Sequence, residues 1–264
     1  PRPPDASPAA CPSRVAPLPM SSPHPAPPQQ ILIVKMSSLG DVVHNFPAVS
    51  DIARALPGCA IDWVVEEAYA ELVRLHPAVR RALPVNLRRL RREWRQGSTW
   101  QALAAMRSAI AQQRYDAVID TQGLLKSLIA ARWARGPRHG FGRGSAREPL
   151  AAFGYHRRHE VDREQHAVLR NRRLAAAALG YPMSGAPDYG LTRLPPRPDW
   201  APATPYAVFL HATSRADKEW PRERWIAVGE RAAAAGLAIV LPWGSAAERA
   251  TSEAIAAALP GARV

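Results

Sequence analysis

The sequence predicts an α/β protein in which parallel strands are covered by helices on both faces. From Ile31 onward, short continuous apolar runs alternate with helical patterns, and most runs end in a turn that opens the next helix. Strands buried on both faces show such continuous runs, whereas half-exposed strands alternate apolar and polar residues. A proline-rich stretch interrupts the alternation once, and it then restarts, so we expect two units.

The first unit is expected to cover residues 31–194. Its apolar runs predict four strands, and its helical patterns predict five helices, the last capped by Gly180. Residues 135–162 are rich in Gly, Arg and His and are expected to be irregular. The strands are predicted at 31–35, 60–66, 80–85 and 115–122, and the helices at 46–56, 67–76, 99–113, 124–134 and 164–180.

The second unit is expected at residues 206–264, after a linker at 195–205 with the sequence "PPRPDWAPATP". Two Rossmann-like domains with a ligand cleft between them would follow from this order, because such folds bind ligands outside the carboxyl ends of their strands. About sixty residues are fewer than the ~100 typical of a domain, so we expect the second domain to be incomplete. Its strands are predicted at 206–212 and 237–243, and its helices at 222–236 and 245–259.

The first thirty residues differ in composition from the rest of the chain. They hold 11 of the 27 prolines and show no periodic apolar pattern. We therefore predict a disordered, proline-rich leader over 1–30. It lacks the apolar core of a secretory signal peptide.

The chain is strongly basic, with 35 Lys and Arg against 22 Asp and Glu. This excess indicates an anionic partner, which could be a nucleic acid, acidic lipid headgroups or a phosphorylated small molecule. No run approaches the ~20 apolar residues of a membrane helix. The two cysteines, Cys11 and Cys59, indicate a reducing compartment, and no metal site is expected from the spacing of the histidines and cysteines.

The turn after the first strand, "KMSSLGDVVHNFPA", carries one glycine and then a carboxylate, Asp41. An Asp at this place is by default a helix N-cap. The same position would keep the carboxylate ionised, so that Asp41 could act as a general base on a hydroxyl in the cleft. The two interpretations are compatible, and Ser37, Ser38 and Gly40 would leave room for a substrate.

Two turns of the second unit carry further candidates. In "HATSRADKEWP", the hydroxyls of Thr213 and Ser214 and the charge of Lys218 suit a phosphate or diphosphate, although an ordinary polar loop would look the same. In "PWGSAAER", Glu248 could accept hydrogen bonds from ribose hydroxyls, by analogy with the acid of dinucleotide-binding folds. An exposed helical Glu is the simpler interpretation.

A basic run, "RRLRREWR", contains Arg88, Arg89, Arg91 and Arg92. Such a run is usually a solvated face, but it also suits docking to phosphorylated lipid headgroups. We expect no nucleic-acid partner, because none of the familiar nucleic-acid modules is present.

Several long stretches resemble the lipopolysaccharide heptosyltransferases that use ADP-heptose, which are members of glycosyltransferase family 9 with GT-B architecture. The resemblance runs in order from Ile31 to the last residue. It is carried by "ILIVKMSSLGDVVHNFPAVSDIARALPG", "IDWVVEEAYAEL", "YDAVIDTQGLLKS", "AREPLA", "YAVFLHATSRADKEWP" and "LPWG".

The resemblance implies an inverting transfer of L-glycero-D-manno-heptose from ADP-heptose to the Kdo of Kdo-lipid A in lipopolysaccharide inner-core synthesis. Asp41 would be the catalytic base. Thr213, Ser214 and Lys218 would hold the donor diphosphate, Lys218 would also stabilise the departing charge, and Glu248 would bind the ribose. The implied acceptor-binding residues are Ser38, Gly40, Arg88, Arg89, Arg91, Arg92, Lys126 and Arg147.

The resemblance further implies a monomer that needs no cofactor and lies on the cytoplasmic face of the inner membrane of a Gram-negative bacterium. One departure is that the family's "DTGLSHLAAAL"-like and "GPTDP"-like donor segments do not occur in the sequence. An alternative is therefore a truncated, non-catalytic remnant that keeps an anion-binding α/β domain. A nucleic-acid-binding protein is a third possibility, and it would bind oligonucleotides with strong salt dependence.

Overall fold

The computed structural model describes residues 28–87, 93, 95–192, 195–213 and 216–264. The chain divides into two compact units, the first up to residue 194 and the second from residue 195 to the end. The predicted leader lies outside the described residues up to position 27. Its last residue, Gln30, already belongs to the first strand.

The first unit contains one six-stranded sheet in which every neighbouring pair is parallel. The strand order is β3-β2-β1-β4-β5-β6, which confirms the predicted parallel α/β class. The strands are β1 Gln30–Val34, β2 Ala60–Glu66, β3 Val79–Val85, β4 Ala117–Asp120, β5 Arg138–Phe141 and β6 Arg157–His159.

Helices follow most of these strands and lie on both faces of the sheet. Short 3-10 turns occur at Glu67–Tyr69 and Pro149–Gly154. Gly180 ends the last helix with φ +75°, as the sequence predicts. The α-helices of this unit are α1 Leu39–Val43, α2 Phe46–Ala55, α3 Ala70–Arg74, α4 Gly97–Ala111, α5 Leu125–Trp133 and α6 Ala167–Leu179.

The side chains of the central strand β1 are buried on both faces of the sheet. Ile31 and Ile33 belong to an apolar cluster that includes Phe46 of α2. Leu32 and Val34 point to the opposite face and belong to a second cluster. All four β1 side chains are fully buried, and each such burial contributes roughly 1.5–3 kcal/mol. A continuous apolar run is what a strand with two buried faces requires.

The structure corrects the prediction for residues 135–162, which contain β5 and β6 rather than only irregular chain. These strands have four and three residues and carry mostly Arg, His and Gly, so they lack the apolar run by which a buried strand is recognised. Gly140 of β5 lies against the Tyr155 ring, where a Cβ would come within 2.3 Å of a ring carbon. The two strands therefore form by edge pairing and close packing.

The strand order also places a ligand crevice. The chain continues from β1 toward β2 on one side, and from β4 toward β5 on the other. The carboxyl ends of β1 and β4, which are adjacent, therefore form the switch point at which open α/β sheets bind ligands.

The second unit contains two parallel strands, β7 Tyr206–Val208 and β8 Ala238–Val240, with helices α7 Arg222–Ala234 and α8 Ala246–Ala256. Its core is formed by Phe209, Ile239, Leu241, Ile255 and Leu259. The predicted alternation of strand and helix is present, although each strand is shorter than expected. In the residues described for both units, no helix has the length and apolarity needed to cross a bilayer.

Candidate active site

A cavity of about 230 Å³ opens at the carboxyl ends of β1 and β4. It combines one carboxylate with three cationic side chains, so its electrostatics favour an anionic ligand. The cavity is lined by Lys35, Asp41, Thr121, Gln122, Phe141, Arg147, Ala167, Arg170 and Asn171.

Asp41 reaches this cavity as the third residue of the short helix α1. Its Oδ2 atom accepts hydrogen bonds from the backbone N–H of Ser38 at 3.1 Å and from the Ser38 hydroxyl at 3.2 Å. The N-cap is thus Ser38, which corrects the interpretation of Asp41 as the cap. These bonds fix one carboxylate oxygen and leave Asp41 half-buried beside the cavity.

Lys35 is the first residue after β1 and is almost fully buried. Its Nζ donates to the carbonyl oxygen of Thr121 at 3.0 Å and lies 4.0 Å from Asp41 Oδ1. Burial lowers the pKa of Lys35 to about 8, against the opposing effect of Asp41. The amine is therefore mostly charged at neutral pH, and it loses its proton when the pH rises through about 8.

The cations change the acidity of Asp41. Burial alone raises the pKa of this carboxyl group. The charge of Lys35, the hydrogen bonds from Ser38 and the charge of Arg147 outweigh burial, and the pKa lies below its ordinary value. Asp41 is therefore ionised at neutral pH and can accept a proton from a ligand hydroxyl.

The turn after β4 closes the other side of the cavity and is held rigidly. The Oε1 atom of Gln122 accepts the backbone N–H of Met36 at 2.7 Å, which ties this turn to the one after β1. Asp120 is fully buried and accepts the N–H groups of Gln122 and Gly123. Gly123 has φ +67°, and a Cβ there would crowd Phe141.

Of the predicted acceptor-binding cations, Arg147 lines the cavity and Lys126 contacts the turn after β1. Lys126 Nζ donates to the Ser37 hydroxyl at 2.9 Å. Arg147 Nη1 lies 3.7 Å from Asp41 Oδ2, and its side chain is 62% exposed, so it remains accessible to a ligand. Gly40 is exposed and has open space where a side chain would be. The four arginines Arg88, Arg89, Arg91 and Arg92 lie outside the described residues.

Lys35, Arg170 and Asn171 line the cavity but were not among the predicted site residues. Lys35 carried a usable signal, since a lysine directly after a continuous apolar strand must end at the mouth of the sheet. Arg170 and Asn171 carried none, because they are polar residues in an ordinary helical pattern. Two contacts hold the Arg170 side chain at the cavity. Its guanidinium carbon lies 4.7 Å from the Phe141 ring centroid, and its Nη2 donates a hydrogen bond to the Ser145 carbonyl oxygen.

In the second unit, Thr213 and Lys218 line a separate cavity of about 280 Å³. Trp220 and Trp225 also line it, and their ring centroids are 5.4 Å apart. Lys218 supplies one positive charge at this cavity and Thr213 one hydroxyl, which are groups that suit an anionic ligand. Ser214 lies outside the described residues.

Glu248 does not line that cavity. It is the third residue of α8, and its carboxylate accepts the backbone N–H of Gly244 at 2.7 Å. The structure thus places Glu248 in a local helix-start arrangement at the beginning of α8. Over the described parts of the chain, no three His, Cys, Asp or Glu side chains come together as a metal site would require.

The sequence pattern of glycosyltransferase family 9 (heptosyltransferase) matches residues 103–264, which is more than half of the chain. The chain belongs to glycosyltransferase family 9. The prediction of this enzyme family from the sequence is confirmed.

A family 9 relative, lipopolysaccharide heptosyltransferase 1 of Pseudomonas aeruginosa, is 46% identical over 242 residues. The match covers 89% of this chain and 66% of that protein. The chain therefore spans just under two thirds of that relative's length.

Solved family 9 structures have the same fold. The E. coli heptosyltransferase WaaC with ADP superimposes with a TM-score of 0.80 at 42% identity, over 89% of this chain and 74% of that one. WaaC with ADP-2-deoxy-2-fluoro heptose gives a TM-score of 0.79 at the same identity, over 89% and 75%. The six-stranded unit found here thus follows a heptosyltransferase fold.

Proposed function

We propose that this chain is an inverting heptosyltransferase of GT-B architecture that acts in lipopolysaccharide inner-core synthesis. It would move L-glycero-D-manno-heptose from ADP-heptose to the Kdo of Kdo-lipid A. The observation that carries the proposal is the ionised Asp41 in a cation-lined cavity at the sheet's switch point. The WaaC structures with ADP and with an ADP-heptose analogue support the choice of donor.

The acceptor would bind in the first unit. Kdo is an acidic sugar, and its carboxylate would be attracted by Lys35, Arg147 and Arg170 around the cavity. Lys126, which donates to the Ser37 hydroxyl, adds a fourth cation at the turn that carries Asp41. The Oδ1 atom of Asp41, which accepts no hydrogen bond from Ser38, would then meet an acceptor hydroxyl, with Ser38 holding Oδ2 and Gly40 leaving space.

Asp41 would act in a single displacement. The acceptor oxygen forms a bond to the anomeric carbon of heptose while the bond to the diphosphate breaks, and the electron pair leaves on the phosphate oxygen. The acceptor's proton passes to Asp41. Because its pKa is low, Asp41 is a weak base, so proton transfer would come late, when the attacking oxygen has become acidic through bond formation.

The donor would bind in the second unit, of which we propose that the chain carries the front part. Lys218 and Thr213 share a cavity with two tryptophans, and we assign the diphosphate to that cavity, with Ser214 beside it. Lys218 would stabilise the charge that develops on the departing ADP. Glu248 would bind the ribose after giving up its hydrogen bond from Gly244.

The test is a transfer assay with the purified chain, ADP-heptose and Kdo-lipid A, with Asp41→Asn as the matched variant. We expect heptose transfer by the wild-type chain and its loss in Asp41→Asn, with the melting temperature of the two proteins compared as the control for folding. Equal transfer by both proteins would contradict the assignment of Asp41.

If neither protein transfers heptose, the assay is repeated on a chimera that adds to Val264 the remaining C-terminal part of the P. aeruginosa relative, of which this chain spans 66%. Transfer that depends on Asp41 in the chimera supports the proposal. A silent chimera that still binds Kdo-lipid A would favour the alternative of a non-catalytic, anion-binding protein.

A further inference from the structure

Two neighbouring elements of the first unit expose large apolar side chains. Leu125 and Ile129, one helical turn apart on α5, are 42% and 52% exposed. Leu150 and Phe153 are three residues apart in the 3-10 turn Pro149–Gly154, so they lie on one face of it, and they are 64% and 62% exposed. We call these four residues the apolar patch.

The two elements of the apolar patch pack against each other. The Leu128 side chain of α5 is buried with Ala151 and Tyr155, and its methyl groups lie against Gly154. The backbone N–H of Leu125 donates to the Glu148 carboxylate at 2.6 Å. The buried contact fixes the two elements side by side and leaves their other faces in solvent.

Two arginines lie beside Phe153 of the apolar patch. The guanidinium carbons of Arg143 and Arg158 lie 6.0 and 5.9 Å from the Phe153 ring centroid. From Leu125 to Arg158 the sequence has eight Lys and Arg residues and a single acidic one, Glu148. Lys126, Arg143, Arg147 and Arg158 are exposed and outnumber Glu148, so the charge beside the apolar patch is net positive.

The apolar patch is continuous with the candidate active site. Lys126, between the exposed side chains of α5, reaches Ser37, and Arg147, next to the 3-10 turn, lies beside Asp41. A lipid-borne ligand that lay under the patch would therefore bring its headgroup to the cavity.

We propose that the apolar patch and its arginine rim are the surface by which the protein docks on an anionic phospholipid membrane. Apolar side chains flanked by arginines suit the boundary between headgroups and acyl chains, where each component interacts with the part of the lipid it matches. The inference rests on the proposed function in one respect, since a lipid-borne acceptor is what would make docking beside Asp41 useful.

Vesicle flotation tests this surface directly, with the full chain and vesicles that contain neither Kdo-lipid A nor ADP-heptose. We expect binding to phosphatidylcholine vesicles with about 30% phosphatidylglycerol, and much weaker binding to phosphatidylcholine alone or at high salt. The double variant Leu150→Ser/Phe153→Ser is expected to lower the partition coefficient at least about tenfold. Arg143→Ser/Arg158→Ser should do so by a similar factor.

Trp200→Ser is the matched control, because Trp200 is 61% exposed and lies in the second unit. It should leave the partition coefficient within about twofold of wild type. Thermal unfolding of each variant checks its fold. The proposal would be overturned if both patch variants bound vesicles as well as the wild type does. It would also be overturned if Trp200→Ser lowered the partition coefficient as much as the patch variants do.

Light scattering tests the other occupant of such a face, a second copy of this chain. A wild-type dimer that becomes monomeric in Leu150→Ser/Phe153→Ser, with no vesicle binding, would overturn membrane docking in favour of self-association. Failure of the proposed function is distinguishable, because absent heptose transfer does not affect these vesicle measurements.

Discussion

The turn after β1 and the turn after β8 have the same local design and different surroundings. In each, a serine precedes the helix and an acidic residue is its third member, namely Ser38 with Asp41 and Ser245 with Glu248. In each, the carboxylate accepts a nearby backbone N–H, from Ser38 in one and Gly244 in the other. Judged by local structure alone, both acids are helix-start residues.

The surroundings separate the two acids. Asp41 has Lys35 and Arg147 within 4.0 Å and lines a cavity. Glu248 has no cation at ion-pair distance in the described part of the chain, where the neighbouring Arg249 pairs with Glu253 instead. The comparison teaches that an acid at a helix start becomes a candidate catalytic group through residues outside its own helix, which bring charge and a cavity to it.

The largest expected difference is between Asp41→Asn and Glu248→Gln in the transfer assay. Both changes keep shape and remove charge. Asp41→Asn should lower kcat by about 10²–10⁴-fold, because an amide cannot take the acceptor's proton. Glu248→Gln should raise the KM for ADP-heptose by about tenfold, which corresponds to one weakened hydrogen bond, and leave kcat within about twofold. A large fall in kcat from Glu248→Gln, with little from Asp41→Asn, would reverse the assignment.

The substitution Lys35→Met removes one of the charges that distinguish the turn after β1 from the turn after β8. The pKa of Lys35 is about 8 in the folded protein against 10.5 ordinarily, so between these values the unfolded chain binds more protons and stability rises with pH. Below pH 8 the buried charge costs about 3 kcal/mol. After subtracting about 1 kcal/mol for the lost hydrogen bond to Thr121, the variant should be about 2 kcal/mol more stable at pH 7.

The pH–rate profile of the same variant checks the functional side. If the Lys35 ammonium attracts the acceptor, wild-type kcat/KM should fall as pH rises through about 8, and this limb should be absent in Lys35→Met. The acid limb should move to higher pH, because the charge of Lys35 lowers the pKa of Asp41. A stabilised variant with an unchanged profile would mean that the lysine has no part in binding or in setting the acidity of Asp41.

The sequence predicted features that are local or apolar. The continuous apolar run at β1 predicted a strand buried on both faces, and Gly180 predicted the end of α6. The short polar strands β5 and β6 were missed because pairing with a neighbour creates them. Arg170 was missed because its approach to Phe141 joins α6 to β5, a contact that no local pattern encodes.

The smallest expected difference is between Gly40→Ala and Gly244→Ala. At Gly40 an added Cβ meets nothing within 4 Å, so the folded protein tolerates it, and alanine should stabilise α1 by up to about 0.5–1 kcal/mol. At Gly244 it would lie 3.2 Å from the Glu248 carboxylate, which must then shift and weaken its bond to the Gly244 N–H, at a cost of about 0.5–1 kcal/mol.

The two glycine variants should also differ in their kinetics. Gly40→Ala places a methyl group where the acceptor would approach and should raise only the KM for Kdo-lipid A, by a few-fold. Gly244→Ala should raise only the KM for ADP-heptose. If both variants raised the same KM, the two turns would serve one substrate, and the assignment of acceptor and donor to separate units would be wrong.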